Sequence, residues 1–294
     1  MNFEEKRLAY HTSIKSMVYN FVLFIIKVLF GALIGSASLI SDGVHSLSDI
    51  FSTFIVVIGI KLSNKPEDKT HPYGHEKIET VIAFLLGIML FGIGAGIGYD
   101  GLLKIINPVF SPAQDLLLNT GGIIAALLSI IGKEWMYRFT IKTANKVRSS
   151  SMRADAWHHR ADALSSIGSL IGVIALRIGL PVIDGIACLM IMLFIFKAAW
   201  NIVADSFRCM TDRSCPDEIV ENIRKAVLDE KDVKSIDVLK TRLFGSKIYV
   251  DLEITLDKNL SFQRSHEIAS QVHDSVESKF AGVKHCMIHV NPSG

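Results

Sequence analysis

The sequence predicts an α-helical membrane protein: six transmembrane helices, then a C-terminal cytosolic α+β domain of order α-β-β-α-β, ferredoxin-like in its succession of elements. Three observations carry this. Half of the 294 residues are hydrophobic (50%) and only 20% are charged, with a mean hydropathy of +0.37. The charges are uneven: long stretches hold almost none, and the segment after Arg213 is rich in them. Basic residues also gather in alternate connections between the apolar runs. Two regions facing different solvents follow.

A membrane helix needs about 20 mainly apolar residues. Six runs qualify: about Ile14–Ile34, Ser38–Leu62, Ile78–Ile105, Leu116–Phe139, Ala154–Ile178 and Val182–Ala204, the second and fifth interrupted by polar residues. Lys61, Lys65, Lys69 and Lys77 lie between the second and third, and Arg138, Lys142, Lys146, Arg148 and Arg153 between the fourth and fifth. The opposite connections carry almost no basic residue. The positive-inside rule then places both termini and both basic loops in the cytoplasm, as an even number of spans requires. The N-terminal MNFEEKRLAYHTSIKS lacks an apolar core followed by a cleavage site, so no cleaved signal is expected and the first span serves for targeting. The expected location is the plasma (inner) membrane.

The expected divisions are a transport domain over 1–208, a linker over 209–215 and a cytosolic domain over 216–294. In the last, Pro216–Leu228 reads as helix and Val233–Leu243 as strand. Lys247–Leu256 alternates Ile248, Val250, Leu252 and Ile254 as a half-buried strand, after a turn at Gly245–Ser246. Ser261–Phe280 reads as an amphipathic helix opened by a serine cap, and His285–Val290 as a last strand.

Several functions are excluded or disfavoured. A net charge of +2 is too small to suggest a nucleic-acid partner. Cys188, Cys209, Cys215 and Cys286 show no CxxC spacing, which argues against a disulfide scaffold or a thiolate zinc site. HEXXH and GxSxG are absent, so an enzyme is not expected, and nothing implies an organic cofactor.

The chemistry lies in two matching stripes. SDGVHSLSD in the second span places Asp42, His45 and Asp49, and ADAWHHRAD in the fifth places Asp155, His158 and Asp162. Both read D-x-x-H-x-x-x-D, and positions i, i+3 and i+7 share a helix face. Each ionised carboxylate near the bilayer midplane costs about 2.5–3.5 kcal/mol. A divalent cation between the stripes compensates them, and two imidazoles with two carboxylates suit tetrahedral zinc. On that reading, deleting one carboxylate should cost little stability, since it also deletes a costly charge. A second cluster, Asp68, His71 and His75 in EDKTHPYGHEK, offers a loop site. The C-terminal domain offers His266, His273, His285 and His289 with Asp237 and Asp251; His285 and His289, four apart on a strand, share a face.

These residues resemble the cation diffusion facilitator family of metal/proton antiporters. The likeness spans nearly the whole chain, and is carried by the HxxxD pairs of spans two and five, HPYGHEKIE, KEWMYRFT in the fourth span and MTDRSCPDE after the sixth. It implies that His45, Asp49, His158 and Asp162 bind the transported metal, with Asp42 and Asp155 behind them. It implies that Asp68, His71 and His75 form a loop metal site. Lys77 and Asp212 match an inter-protomer charge pair. The cytosolic domain would dimerise and bind regulatory Zn²⁺ through Asp237, Asp251, His266 and His289. Asp237 and Asp251 stand where some members have His, and Asn291 stands where a bridging Asp occurs.

The expected protein is thus a homodimer in lipid that exports Zn²⁺ from the cytoplasm against protons. Fe²⁺, Co²⁺, Cd²⁺ or Mn²⁺ are alternative substrates, and a metal sensor that transports nothing is the alternative function.

Overall fold

The computed structural model describes residues 3–34, 37–107, 120–177, 182–280 and 282–294. They form α1 (Phe3–Ile34), α2 (Ala37–Ser63), α3 (Lys77–Ile106), α4 (Thr120–Val147), α5 (Ser150–Arg177), α6 (Val182–Met210), α7 (Asp217–Leu228), β1 (Ser235–Phe244), β2 (Lys247–Leu256), α8 (Phe262–Lys279) and β3 (Val283–Pro292). The chain divides into two compact units, Met1–Ser206 and Phe207–Gly294.

Several helices run past the apolar segments that predict them. α1 begins at Phe3, with Glu4 and Glu5 in its first turn, where carboxylates meet the positive end of the helix dipole. α4 continues to Val147, beyond the apolar run that closes near Phe139. It stops because Arg148 turns left-handed, at φ 54°. Ser149 then caps α5, its Oγ accepting the Met152 N–H at 3.2 Å. A connection this short makes α4 and α5 neighbours in space.

The first unit is apolar outside, and inside it buries polar and charged side chains beside an apolar core that includes Val56, Ile60, Leu90 and Ile195. Val18, Phe21, Val22, Ile25 and Leu29 of α1 and Phe51, Phe54, Ile55 and Ile58 of α2 are exposed, while Thr12, Ser16, Asn20, Lys27, Asp49, Lys133, His158 and Asp162 are buried. An apolar exterior around a charged interior is the arrangement of a membrane bundle, in which ionisable side chains face inward. Among the described residues, Phe3–Leu29, Lys77–Ile106 and Gly185–Met210 are long and apolar enough to cross a membrane. Lys27 of α1 and Glu79 of α3 are buried too, but Asp49, Lys133, His158 and Asp162 come from α2, α4 and α5.

Hydroxyl pairs and glycines set the packing. Thr12 meets Thr143 at 3.0 Å and Ser16 meets Thr140 at 3.4 Å, a polar seam between α1 and α4. Between α3 and α6 the backbones approach closely: a Cβ on Gly101 meets the Gly185 carbonyl oxygen at 2.9 Å and the Cys188 Cβ at 2.6 Å. Neither neighbour can swing aside.

In the second unit β1 pairs antiparallel with β2, and β2 pairs parallel with β3. Ile248, Val250, Leu252, Ile254 and Leu256 of β2 pack on Ile223 and Val227 of α7 and on Ile268, Val272 and Val276 of α8. The predicted α-β-β-α-β order is observed, and the alternation of β2 is what buries one face. Ser261 caps α8 by accepting the Arg264 N–H at 3.2 Å.

Gly101→Val tests the helix contact. The extra atoms should lower the stability of the bundle by about 1–3 kcal/mol, the usual cost of overpacking. Gly96→Ala, whose added Cβ meets nothing within 4 Å, should not. Thermal unfolding of the detergent-purified chain compares the two.

Candidate metal centre

Two groups of ligand atoms converge among the described residues: Asp49, His158 and Asp162, and Asp68, His71 and His75, each with its ligand atoms within 4.8 Å of one another. The first lies inside the bundle, where all three residues are buried. α2 supplies Asp49; α5 supplies His158 and Asp162 from successive turns of one face. His158 Nε2 lies 3.1 Å from Asp49 Oδ1 and 3.9 Å from Asp162 Oδ2. Two carboxylates and one imidazole form a ligand set for a divalent transition metal. The side chains of Asp42 and His45 lie outside the described residues.

Asp155 does not join these three. It accepts from Thr53 Oγ1 at 3.1 Å, and His159 Nε2 lies 3.6 Å from it. Thr53 is one turn beyond Asp49 on α2, so Asp155 ties α2 to α5 beside the ligands. His159, fully buried, is a participant that sequence reasoning did not single out.

The larger omission is Lys133. Its ammonium donates to the Asp49 carboxylate and to Asp162 Oδ2, the latter at 2.9 Å. It is buried with them. The sequence reading left the carboxylates to a divalent cation alone; the structure supplies a protein cation from α4. The signal was present, since a lysine inside an apolar span carries the same midplane cost as an aspartate and marks a functional position. α4 is clamped to α5 nearby: the Arg160 guanidinium stacks on the Tyr137 ring, 4.4 Å from its centroid, and lies 4.0 Å from Glu134.

The loop group is built by turns. The Asp68 carboxylate accepts the N–H groups of Thr70 and His71 at 3.0 and 2.8 Å. His71-Pro72-Tyr73-Gly74 then folds back, with Gly74 N–H on the His71 carbonyl at 3.0 Å and Gly74 at φ 93°. That reversal stacks the His71 and His75 rings, centroids 4.4 Å apart, and leaves each 3.4 Å from Asp68. Hydrogen bonds from Lys65 and Thr70 hold Asp68 well below the usual carboxylate range, so it is ionised and available as a ligand.

With both sites described, the comparisons are informative. Residues 13–210 match the family model of the cation efflux transmembrane domain, and residues 215–293 that of the cation efflux protein cytoplasmic domain. The chain belongs to the cation diffusion facilitator family.

This facilitator is 35% identical to an uncharacterized transporter of Methanocaldococcus jannaschii over 95% of the chain and 96% of that protein. It is 29% identical to the manganese efflux system protein MneP of Bacillus subtilis over 99% of each. Among solved structures, a cadmium form of the MamM CTD is 20% identical and covers 26% of the chain and 96% of its own, at a TM-score of 0.26.

In the facilitator's second unit, Asp237, Asp251, His266 and His289 enter neither converging group among the described residues. A β-bulge sets Asp237 off the ladder, where it accepts from Thr255 at 2.7 Å and from Asn291 Nδ2 at 2.9 Å. Asn291 thus meets Asp237 as a hydrogen-bond donor. Glu253, not Asp251, is opposite His289 in the sheet. His273 and His285 gather instead around Glu277, at 3.2 and 3.8 Å. Burial pushes the Cys286 thiol up to about 12, which keeps it protonated and a poor ligand. Lys77 opens α3 in the first unit, and Asp212 lies in the second.

The Lys133 contacts change the expected outcome of a carboxylate deletion. Asp49→Ala strips Lys133 and His158 of a shared partner, and breaking a buried ion pair from one side costs about 3–5 kcal/mol. The variant should therefore unfold at lower temperature than the parent, whereas Asp49→Asn, which keeps an acceptor oxygen, should lose less. A variant as stable as the parent would contradict the ion pair.

Proposed function

We propose that this facilitator exports divalent transition-metal ions, zinc first, from the cytoplasm across the plasma (inner) membrane in exchange for protons. The supporting observation is the buried convergence of Asp49, His158 and Asp162 between two helices of an inside-out bundle. His45, on the sequence spacing, completes a four-coordinate set of two imidazoles and two carboxylates, the donor balance that suits zinc. Metal needs the imidazoles neutral and the carboxylates ionised, so protons and metal compete for the same atoms. That competition is the coupling: metal binds from one side, and protons displace it on the other.

On this reading all six long helices span the membrane, both termini are cytoplasmic, and the basic loops flank the cytoplasmic mouth. The Asp68–His71–His75 cluster then receives metal before it enters the bundle. Two chains form the working unit through the second domain and a Lys77–Asp212 pair, and the second domain senses Zn²⁺ through Asp237, Asp251, His266 and His289. No step requires bond-making chemistry, so the protein acts as a transporter and not an enzyme.

Manganese is the second reading. It is favoured by the likeness to a manganese efflux protein over the full length of both chains, and by the described ligands, two oxygens to one nitrogen, which suit harder ions.

Competitive uptake of Zn²⁺, Mn²⁺, Fe²⁺ and Cd²⁺ into proteoliposomes under an imposed proton gradient tests the proposal. Zinc should be preferred, flux should vanish without the gradient, and Asp162→Ala should abolish it. His45→Asp should shift preference toward Mn²⁺ or Cd²⁺. A parent that prefers manganese favours the second reading, and a parent that moves no ion under any gradient defeats both.

A further inference from the structure

Of the charged side chains described inside the bundle, Lys133 alone contacts both Asp49 and Asp162 without being a candidate ligand. Its ammonium sits on the Asp49 carboxylate and 2.9 Å from Asp162 Oδ2. A metal among Asp49, His158 and Asp162 needs those carboxylates at about 2.0–2.2 Å. The His158 nitrogen that would complete the set lies 3.9 Å from the same Asp162 oxygen that Lys133 holds. A divalent ion and an ammonium drawn to one pair of carboxylates, in a buried setting of weak screening, repel each other strongly. The two cations exclude one another.

We propose that Lys133 is a tethered competitor of the transported cation, which occupies Asp49 and Asp162 between transport events and is displaced each time metal binds. The inference rests on the transport reading above and adds an affinity-setting residue to it. Bound to the carboxylates, the ammonium compensates them during the step in which the carrier returns without metal. Displaced, it stays close enough to reclaim them and so favours release.

A displaced ammonium needs somewhere to go. Of the buried polar groups with no hydrogen-bond partner among the described residues, which include Ser13 and the His159 ring, the Ser129 hydroxyl and the Asn20 amide are the candidates to receive it. Ser129 is one turn back from Lys133 on α4, within the sweep of a four-carbon stem. Asn20 continues the α1 stripe of Thr12 and Ser16, whose partners Thr143 and Thr140 lie on α4. Counting forward along α1 and back along α4 sets Asn20 opposite Met136, one turn from Lys133. Gly132, next to it, brings the α1 helix close, since a Cβ there would overlap the Tyr19 hydroxyl. Orphaned buried amides are rare, because each forfeits its hydrogen bonds. A site that alternates between two cation positions accounts for these two groups.

The test is equilibrium Zn²⁺ binding to the full-length chain in lipid nanodiscs, counting only binding that Asp49→Ala removes, for the parent, Lys133→Met, Lys133→Gln and Lys133→Arg. A site free of its competitor a tenth of the time binds about tenfold more weakly than its intrinsic affinity. Lys133→Met should therefore tighten the apparent Kd about tenfold or more, and Lys133→Gln, which keeps a neutral donor for folding, should move it the same way. Lys133→Arg should stay as weak as the parent. In proteoliposomes the half-saturating Zn²⁺ concentration and the maximal flux should both fall in Lys133→Met, because tight binding slows release. If Lys133→Met and Lys133→Gln bind Zn²⁺ no tighter than the parent, the lysine is a structural clip and the inference is overturned while the transport reading stands. A parent with no Asp49-dependent binding overturns both.

Discussion

Charge in a medium of low polarity must be balanced by charge within reach, and the first unit is organised around that constraint. Asp49 comes from α2, Lys133 from α4, and His158 and Asp162 from α5. Each alone would cost a few kcal/mol in a lipid-facing position; together they form one interior ionic cluster. Three helices are thereby tied at a single point, and the polar seam between α1 and α4 joins a fourth helix to them further along α4. The glycine approach of α3 and α6 removes bulk where no charge needs housing. Apolar side chains fill the rest of the interior and also cover the exterior, where a water-soluble fold would place polar ones.

The two ligand clusters differ in the way a transport path requires. Asp68 and His71 are accessible at the loop, and their geometry comes from local turns that any short peptide of this composition favours. Asp49, His158 and Asp162 are sequestered, and their geometry exists only when α2 and α5 pack together. Thr53 and Asp155 hold that packing one turn away. A shift of α5 against α2 would separate His158 and Asp162 from Asp49, so the same contacts that form the centre make it sensitive to helix movement.

Much of this was legible in the residues. The D-x-x-H-x-x-x-D stripes named Asp49, His158 and Asp162, because helical periodicity is a strong constraint and intramembrane carboxylates are rare. The spacing in EDKTHPYGHEK grouped Asp68, His71 and His75, which the turn at Gly74 brings together. The alternation in β2 and the cap at Ser261 located the second unit's core. Lys133 was visible as a residue, inside an apolar run, but its role was not: nothing local to α4 says that its side chain points toward α2 and α5. His159 was hidden for the same reason, as it shares the ADAWHHRAD motif with His158 and only packing shows which imidazole faces Asp49. In the second unit, the family resemblance grouped Asp237 with His266 and His289, and the bulge at Asp237 places it against Asn291.

By itself, then, the sequence determined the class of protein, the family, the order of its elements and the candidate ligand residues, since hydropathy, helical period and turn chemistry are properties of neighbours along the chain. Only the tertiary structure decided that Lys133 contacts both Asp49 and Asp162, that Asp155 pairs with Thr53 rather than with them, and that Asp237 meets Asn291 across the sheet. Those are pairings between residues 29 to 102 positions apart. They depend on which helix faces and strand registers come together, and packing geometry sets that where local propensity cannot.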